Sequence, residues 1–288
     1  MVKAKEFRVS FGKRFRLKDC DPGYTGDYKS KGDALADLEA DIQKLGKLQD
    51  VLYAQDSYAL LVVIQGMDAS GKDSAIKNIM SGVNPQGCQV TSFKAPSAEE
   101  LDHDYLWRCQ KAIPSRGNIG IFNRSHYEEV LVARVMPEVL KNQKLPAPAL
   151  KGNIWKERFR DISNYERYLA NNGIVILKFF LNVSRREQKK RFLQRIDQPD
   201  KNWKYSPEDI AKRRDWKAYQ EAYEDMLGRT SQPWAPWYVI PADNKWFSRV
   251  VIAHIMVKTL DGLKLRYPEL SPAQKKGLAA AKRSLAGD

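Results

Sequence analysis

The chain has 288 residues, of which 43% are hydrophobic and 29% are charged. This length suits one large α/β domain or two small ones, and the composition excludes a disordered or fibrous chain. The formal net charge of +14 favours a polyanionic partner, and nucleic acid, an anionic membrane or a phosphate polymer would each suit it. Charge alone does not choose among them, and a basic surface that only maintains solubility is the alternative.

The cysteines and the first residues indicate a cytoplasmic protein. Cys20, Cys88 and Cys109 are scattered, with no Cys-x-x-Cys pair, which favours reduced thiols. The charged start, Met1–Phe11, lacks the apolar core of a signal peptide. The longest apolar run, Ala59–Ile64, is far too short to cross a bilayer, so we predict no membrane segment.

Helical and apolar segments then alternate along the chain. Leucine and isoleucine at steps of three and four predict a helix at Lys31–Tyr53, and a continuous apolar strand follows at Ala59–Gln65. Further strands are predicted at Gln89–Phe93, Asn118–Phe122, Ile174–Leu181 and Trp237–Ile240, and further helices near Asp73–Met80, Ala98–Lys111, Tyr127–Arg134, Ile154–Asn171, Ser184–Ile196, Pro207–Leu227 and Lys245–Tyr267. The alternation predicts one doubly wound α/β domain with about five parallel strands. We expect an ordered arm at residues 1–30 and a helical or frayed tail at 271–288.

A phosphate-binding loop follows the first strand. Residues 66–73 read Gly-Met-Asp-Ala-Ser-Gly-Lys-Asp, which is G-x-x-x-x-G-K between a predicted strand and a predicted helix. The glycines let backbone N–H groups point inward at phosphate oxygens, and the helix N-terminus adds partial positive charge. The predicted phosphate-binding residues of this loop are Gly66, Ala69, Ser70, Gly71, Lys72, Asp73 and Ser74. The alternative is a glycine turn with an incidental lysine.

Two acids make this loop unusual. The Ser or Thr that normally follows the lysine and holds Mg²⁺ is replaced by Asp73, and Asp68 lies inside the loop, where its charge repels phosphate. We therefore predict a metal ion between Asp68 and the phosphates. The alternative is that Asp68 points to solvent and Asp73 only caps the helix.

The third strand is followed by Asn123-Arg-Ser-His-Tyr-Glu-Glu129. P-loop enzymes carry a metal-organising acid at the position of Asn123, which has no charge. Metal binding then falls on Asp68, with Glu128 or Glu129 as candidate helpers, although both could simply be solvated in a first helical turn. Arg124 can fork onto phosphate oxygens, and His126 is predicted to be structural.

A basic helix predicts a lid over the phosphates. Its apolar face carries Phe192 and Ile196, and cationic stripes flank that face: Arg186 and Lys190 on one side, Arg191 and Arg195 on the other. We predict a lid region at 184–214 with a mobile loop at 197–206. The alternative is an ordinary solvated helix. Lys94 follows the second strand and lies at the same sheet edge as the P-loop, so a basic channel is expected there.

These segments together resemble the second family of polyphosphate kinases. The resemblance rests on GMDASGKD (66–73), GVNPQGCQVTSFK (82–94), ELDHDYLWR (100–108), IGIFNRSHYEEVLV (119–132), SRREQKKRFLQRIDQPDKNWKYSPED (184–209) and APWYVIPADNKW (235–246). It implies a P-loop kinase fold akin to thymidylate kinase, with a helical lid, and assembly as homodimers or homotetramers.

The resemblance also implies reversible phosphoryl transfer between inorganic polyphosphate and AMP, ADP or ATP, with Mg²⁺ or Mn²⁺. Asp68 matches the family's essential loop acid and metal ligand, Lys72 its loop lysine, and Arg124 a third catalytic residue. The residues implied to contact phosphate or nucleotide outside the loop are Lys94, Arg124, Glu128, Arg185, Lys189, Arg191 and Arg195. Some relatives carry Asp at the position of Asn123, and the form with Asn favours AMP as an acceptor.

We expect direct in-line transfer, because an anionic acceptor phosphate needs charge neutralisation more than a general base. An ATP-dependent nucleoside monophosphate kinase is the nearest alternative. A nucleic-acid-binding protein with a vestigial P-loop is a more distant one, and no nucleic-acid module is recognisable, so no nucleic-acid partner is expected.

Overall fold

A five-stranded parallel sheet forms the centre of the computed structural model, which describes residues 2–287. The strand order is β2-β3-β1-β4-β5, and every neighbouring pair is parallel. The strands are β1 (Ala59–Gln65), β2 (Cys88–Ser92), β3 (Ile119–Asn123), β4 (Ile174–Asn182) and β5 (Trp237–Pro241). The predicted parallel α/β fold is confirmed, and each predicted strand lies within one residue of an observed one. Met1 and Asp288, the ends of the predicted arm and tail, lie outside the described residues.

Helices alternate with these strands along the chain, as the sequence predicted. They are α1 (Lys31–Gln55), α2 (Lys72–Ile79), α3 (Ala98–Asp102), α4 (Trp107–Lys111), α5 (Glu128–Val135), α6 (Pro137–Lys141), α7 (Ile154–Asn171), α8 (Arg185–Asp197), α9 (Pro207–Lys212), α10 (Trp216–Thr230), α11 (Lys245–Gly262) and α12 (Pro272–Leu285). Local caps set several of these bounds. For example, Ser30 and Asp33 form a capping box at the start of α1, and Asp56 ends it in a left-handed conformation (φ 51°).

Three predicted helices were wrong in extent. The helix at 98–111 is interrupted at residues 103–106, where the Asp104 side chain accepts a hydrogen bond from the backbone N of Leu106 at 2.9 Å. The helix at 207–227 is two helices with a break at residues 213–215. The last long helix ends at Gly262 rather than Tyr267, because Lys264 adopts a left-handed conformation with φ 52°.

The N-terminal arm is packed onto the body although it has no strand or α-helix among residues 2–30. It forms 3₁₀ turns at Ala4–Phe7 and Leu17–Asp19 and buries Phe7 and Leu17. The backbone N of Val9 donates to the carbonyl oxygen of Trp237 at 2.9 Å, which ties the arm to β5. At the other end, α12 is a helix whose described residues are exposed throughout.

The topology decides where a ligand can bind. The central strand β1 is buried along its whole length and has β3 on one side and β4 on the other. The chain order reverses between these neighbours, and such a switch point opens a crevice at the carboxyl ends of the strands. The loops after β1, β2, β3 and β4 all meet at that edge. Within residues 2–287, no helix has the length and apolar character needed to cross a membrane.

A buried polar cluster holds β4 to the helices behind it. The ammonium of Lys178 donates to Glu166 at 2.6 Å, to the hydroxyl of Tyr127 at 2.7 Å and to the carbonyl of Thr230 at 2.8 Å. His126 lies beside the same carboxylate at 3.6 Å, and burial lowers the pKa of its imidazole. Its buried position agrees with the structural role predicted for His126.

Candidate active site

The loop after β1 has the backbone of a phosphate cradle. Gly71 has φ 111°, a conformation that an L side chain rarely adopts, and Ala69 is also left-handed at 63°. The side chain of Lys72 folds back over the loop, where its ammonium donates to the carbonyl of Gly66 at 2.7 Å and of Met67 at 3.2 Å. The ammonium therefore lies where it would neutralise the negative charge of a phosphate bound in the loop.

Lys72 is a perturbed cation. Burial and the neighbouring charge of Arg124 lower its pKa to about 8, against the opposing carboxylates of Asp68 and Glu128. Such an ammonium is held without a full complement of counter-charge. An incoming phosphate would supply that charge and raise the pKa again.

Asp68 points into the site rather than to solvent. Its side chain is 15% exposed, and its carboxylate accepts from Arg124 Nη2 at 2.5 Å and lies 3.5 Å from Lys212 Nζ. Burial alone would raise the pKa of Asp68, but the positive charges of Lys72, Arg124 and Lys212 lower it below its usual range. Asp68 is therefore an ionised carboxylate among cations.

Asp73 and Asn123 pair across the mouth of the loop. Asp73 does not cap α2, whose N-cap residue is Gly71. Its carboxylate instead accepts from Asn123 Nδ2 at 2.7 Å. Because a carboxylate only accepts, this bond fixes the orientation of the amide and leaves Asn123 Oδ1, which is buried without a partner, as a free acceptor.

Two oxygen atoms of the site would suit a divalent metal ion. Within residues 2–287 there is no group of three or more His, Cys, Asp or Glu that could hold a metal by itself. Mg²⁺ in phosphoryl-transfer sites usually takes only one or two protein oxygens and fills its shell with phosphate and water. Asp68 and the unpartnered Oδ1 of Asn123 would supply such oxygens.

Arg124 is held in a constrained conformation at the end of β3. It is left-handed with φ 62°, and its backbone N donates to the carbonyl of Ile64 at 3.0 Å. Its guanidinium lies between Asp68 and Glu128, the latter at 3.7 Å. Burial opposes its charge, but these two carboxylates raise its pKa, so it remains a fixed cation beside the P-loop.

Glu129, a candidate metal ligand in the sequence, is directed into the protein. Its carboxylate lies 3.7 Å from Arg108 and 3.6 Å from Arg158, and it accepts from Gln143. It is 5% exposed and does not line the cleft. Glu129 is therefore a structural acid, and the role of metal helper at this position is a wrong expectation.

Arg191 of the predicted lid supports the backbone of the P-loop through hydrogen bonds. Its five N–H donors bond to Glu187 (2.9 Å) and to the carbonyl oxygens of Ala69 (3.0 Å), Ser70 (2.8 Å), Ala242 (2.6 Å) and Asp243 (2.9 Å). No donor is left for a phosphate in this arrangement. The implied phosphate contact of Arg191 is thus corrected to support of the loop backbone.

The rest of the predicted lid region forms one wall of the cleft. Residues 197–206, predicted as a mobile loop, contain a 3₁₀ helix at Pro199–Lys204. Arg195 on α8 donates to Asp209 on α9 at 3.0 Å. Together with Lys212 near Asp68, this pair brings α9 against the P-loop.

The cleft has a volume of about 770 Å³ and brings most of the predicted residues together. Of the sequence candidates it is lined by Asp68, Ala69, Gly71, Lys72, Asp73, Ser74, Lys94, Asn123, Arg124, Arg191 and Arg195. Gly66 and Ser70 belong to the loop but are buried, and Glu128 lies 3.7 Å from Arg124 without lining the cleft itself. Arg185 and Lys189 are exposed on α8 and do not line the cleft, so the structure does not bring these two to the site.

Sequence reasoning missed several residues of this cleft. Lys201, Trp203 and Lys204 come from the lid, and Lys245 comes from the start of α11. The carboxyl-edge rule that selected Lys94 after β2 would have found Lys245 had it been applied to β5. The lid residues carried no such signal, because their placement depends on how α8 and α9 pack.

A parallel sheet with a G-x-x-x-x-G-K loop at its switch point and cationic helices over that loop defines the class of P-loop kinases. Within that class the chain belongs to one family: the model described as "Polyphosphate kinase 2 (PPK2)" matches residues 28–268. The resemblance found in the motifs is thereby confirmed.

Similar proteins share nearly the full chain. The chain is 45% identical over 285 residues to the "ADP-polyphosphate phosphotransferase" of Rhodopseudomonas palustris, covering 99% of both. It is 45% identical over 273 residues to the "AMP/ADP-polyphosphate phosphotransferase" of Meiothermus ruber, covering 94% of this chain and 98% of that one. The crystal structure of polyphosphate kinase 2 from Arthrobacter aurescens TC1 superposes with a TM-score of 0.86 at 37% identity, covering 96% of each chain.

Proposed function

We propose that this protein transfers a phosphoryl group between inorganic polyphosphate and the nucleotides AMP and ADP. The observation that carries the proposal is the cleft itself. Cations from the P-loop, the β3 end and the lid surround an ionised Asp68, as a site for two polyanions requires. The family and the names of the relatives in Rhodopseudomonas palustris and Meiothermus ruber support polyphosphate as one of the polyanions.

The terminal phosphates of the donor chain would lie in the cradle, where the N-terminus of α2 and Lys72 neutralise them. Asp68 and Asn123 would hold Mg²⁺, which supplies charge neutralisation between donor and acceptor; Mn²⁺ is an alternative ion. Arg124 would align the acceptor phosphate. An acceptor oxygen then attacks the terminal phosphorus in line, and the bond from that phosphorus to the bridging oxygen breaks, leaving a chain shorter by one unit.

No general base is assigned, because the acceptor oxygen is already anionic. The lid would exclude water, so that the phosphoryl group passes to the nucleotide and is not lost by hydrolysis. Transfer is reversible in this scheme. In the reverse direction the phosphorylated nucleotide is the donor, and it would present the same kind of terminal phosphate to the cradle as polyphosphate does.

The test is a product analysis with polyphosphate as the sole phosphoryl donor. The purified protein is incubated with long-chain polyphosphate and Mg²⁺, with AMP and ADP in separate reactions, and the nucleotides are resolved by chromatography. We expect ADP from AMP and ATP from ADP. Phosphorylation of AMP with ATP but not with polyphosphate would instead identify the ATP-dependent nucleoside monophosphate kinase, and salt-sensitive nucleic-acid binding without any transfer would identify the vestigial P-loop.

Other properties implied by the family stay predictions. Assembly as a homodimer or homotetramer can be measured by light scattering. A cytoplasmic location is consistent with Cys20, Cys88 and Cys109, which are all free thiols.

A further inference from the structure

The cleft continues past the P-loop to the start of α11, where two cations that the proposed mechanism does not use lie close to it. Lys245 and Arg249 stand four residues apart, one turn of α11, and are named here the α11 cations. Lys245 lines the cleft together with Lys72 and Lys201. Arg249 donates from Nη2 to Ser74 Oγ at 2.8 Å, which places it against the first turn of α2.

The α11 cations keep hydrogen-bonding capacity that the described protein does not use. Nε of Arg249 is buried and has no hydrogen-bond partner among residues 2–287. Lys245 is exposed where it lines the cleft, so its ammonium is open to an incoming anion. Buried donors are normally paired, so the unpaired Nε of Arg249, one helical turn from the cleft-lining Lys245, indicates a missing acceptor.

The charges around Lys245 are predominantly positive. Partial burial of its stem and the positive charges of Arg191 and Arg249 lower its pKa, and Lys201 adds to this effect. Glu187 is the acid that opposes them, and it is already paired with Nε of Arg191 at 2.9 Å. Cations brought together in this way are stabilised by an anion that binds among them.

The α11 cations lie next to the phosphate cradle. A Cβ atom on Gly71 would lie 3.7 Å from Cγ of Lys245 and 3.8 Å from Nη1 of Arg191. The stem of Lys245 therefore lies beside the cradle at Gly71. A phosphate chain that leaves the cradle on this side meets the α11 cations next.

We propose that the α11 cations form a second subsite for the donor polyphosphate, which binds phosphates further along the chain than those held by Lys72. The inference rests on the proposed function and assigns a direction to the polymer, from the P-loop toward α11. The subsite offers ammonium and guanidinium donors at intervals, which suits a repeating anion. A short donor such as tripolyphosphate fills the cradle without using it.

The experiment compares Lys245→Met with the wild-type protein, using long-chain polyphosphate and tripolyphosphate as donors at saturating nucleotide. We expect the KM for long-chain polyphosphate to rise about tenfold, the effect of one charge-assisted contact. The KM for tripolyphosphate and for the nucleotide should change by less than a factor of about two, and kcat far less than KM. Arg249→Lys, which keeps the charge, should be milder than Arg249→Met.

Lys258→Met is the matched control, because Lys258 is an exposed lysine near the other end of α11. An unchanged KM for long-chain polyphosphate in Lys245→Met, or an equal rise for both donors, would overturn the subsite. If the wild-type protein transfers nothing from polyphosphate, the proposed function fails separately. Calorimetric titration with long-chain polyphosphate then decides: weaker binding to Lys245→Met supports the subsite, and equal binding refutes it.

Discussion

At the scale of single residues, the chemistry depends on carboxylates that remain charged among phosphates. Asp68 is surrounded by Lys72, Arg124 and Lys212, whose positive charges keep its carboxylate ionised within the P-loop. The second loop acid, Asp73, is occupied by the amide of Asn123. The two acids are therefore not equivalent, although the sequence places them only five positions apart.

Replacing Asp68 by Asn should lower kcat by about 100-fold or more, because it removes the negative charge that would hold the metal ion and that pairs with Arg124. The measurement is initial rate with polyphosphate and AMP, with circular dichroism to confirm the fold. Asp73→Asn is the matched control, since an amide can still accept from Asn123, and its loss should be much smaller. Nearly full activity of Asp68→Asn would refute the assignment of the metal ligand.

The alkaline pH dependence should report Lys72. Its pKa is lowered to about 8, so in the free protein the ammonium loses its proton as pH rises through that value. We expect kcat/KM to be constant below this pH and to fall about tenfold per unit above it. The guanidinium of the Lys72→Arg variant does not deprotonate, so its residual activity should not show this fall at alkaline pH. A fall that persists in the variant would assign it to another group.

At the scale of elements, α8 supports the backbone of the P-loop through hydrogen bonds. Arg191 is 4% exposed and fills its donors with loop carbonyls, and Gln188 one turn earlier donates to the carbonyl of Asp68 at 2.9 Å. Arg191→Met leaves these acceptors buried and unpaired, so it should destabilise the protein by about 2 kcal/mol or more and reduce activity. Urea denaturation measures the first effect.

Lys189→Met is the matched control for this prediction. Lys189 lies two residues away on α8 but is exposed and outside the cleft. Its loss should leave stability within about 0.5 kcal/mol of the wild type. Equal effects of the two substitutions would show that α8 contributes only general charge.

The elements also show which parts of the fold could be predicted from the sequence. Strand positions followed from apolar runs, and the P-loop followed from its spacing and context, because both signals are local. The break between α3 and α4 had a local signal, Asp104, that periodicity outweighed. The break before α10 had none, since Arg213 is held there by distant groups, the carbonyl of Arg185 and the side chain of Gln188, at 2.8 Å each.

The same distinction applies to the site. Asp68, Lys72 and Arg124 were predictable because they lie in the short segments that follow β1 and β3 at the carboxyl edge of a parallel sheet. The hydrogen bonds of Arg191 to the P-loop backbone were not predictable. Helical periodicity predicts which face of the helix a residue occupies, but not which backbone segment that face contacts. Lys212 was missed for the same reason, since its contact with Asp68 spans 144 residues.

At the scale of the whole molecule, one buried ion pair connects the sheet to the helices behind it. Glu166→Gln leaves the ammonium of Lys178 buried without a counter-charge, which should destabilise the protein by about 3 kcal/mol. The double variant Glu166→Gln/Lys178→Met should be more stable than the sum of the single effects predicts. Urea midpoints of the four proteins measure this coupling, and additive effects would contradict it.

The hydrogen bonds that Arg191 makes to the P-loop also limit the order in which the molecule can fold. Arg191 joins Ser70 to Ala242 and Asp243, segments that lie far apart along the chain. During synthesis the complete G-x-x-x-x-G-K motif leaves the ribosome long before these partners exist. The cradle can gain its full set of contacts only when the chain has been made through Asp243, so the phosphate-binding loop is an early sequence motif and a late structural one.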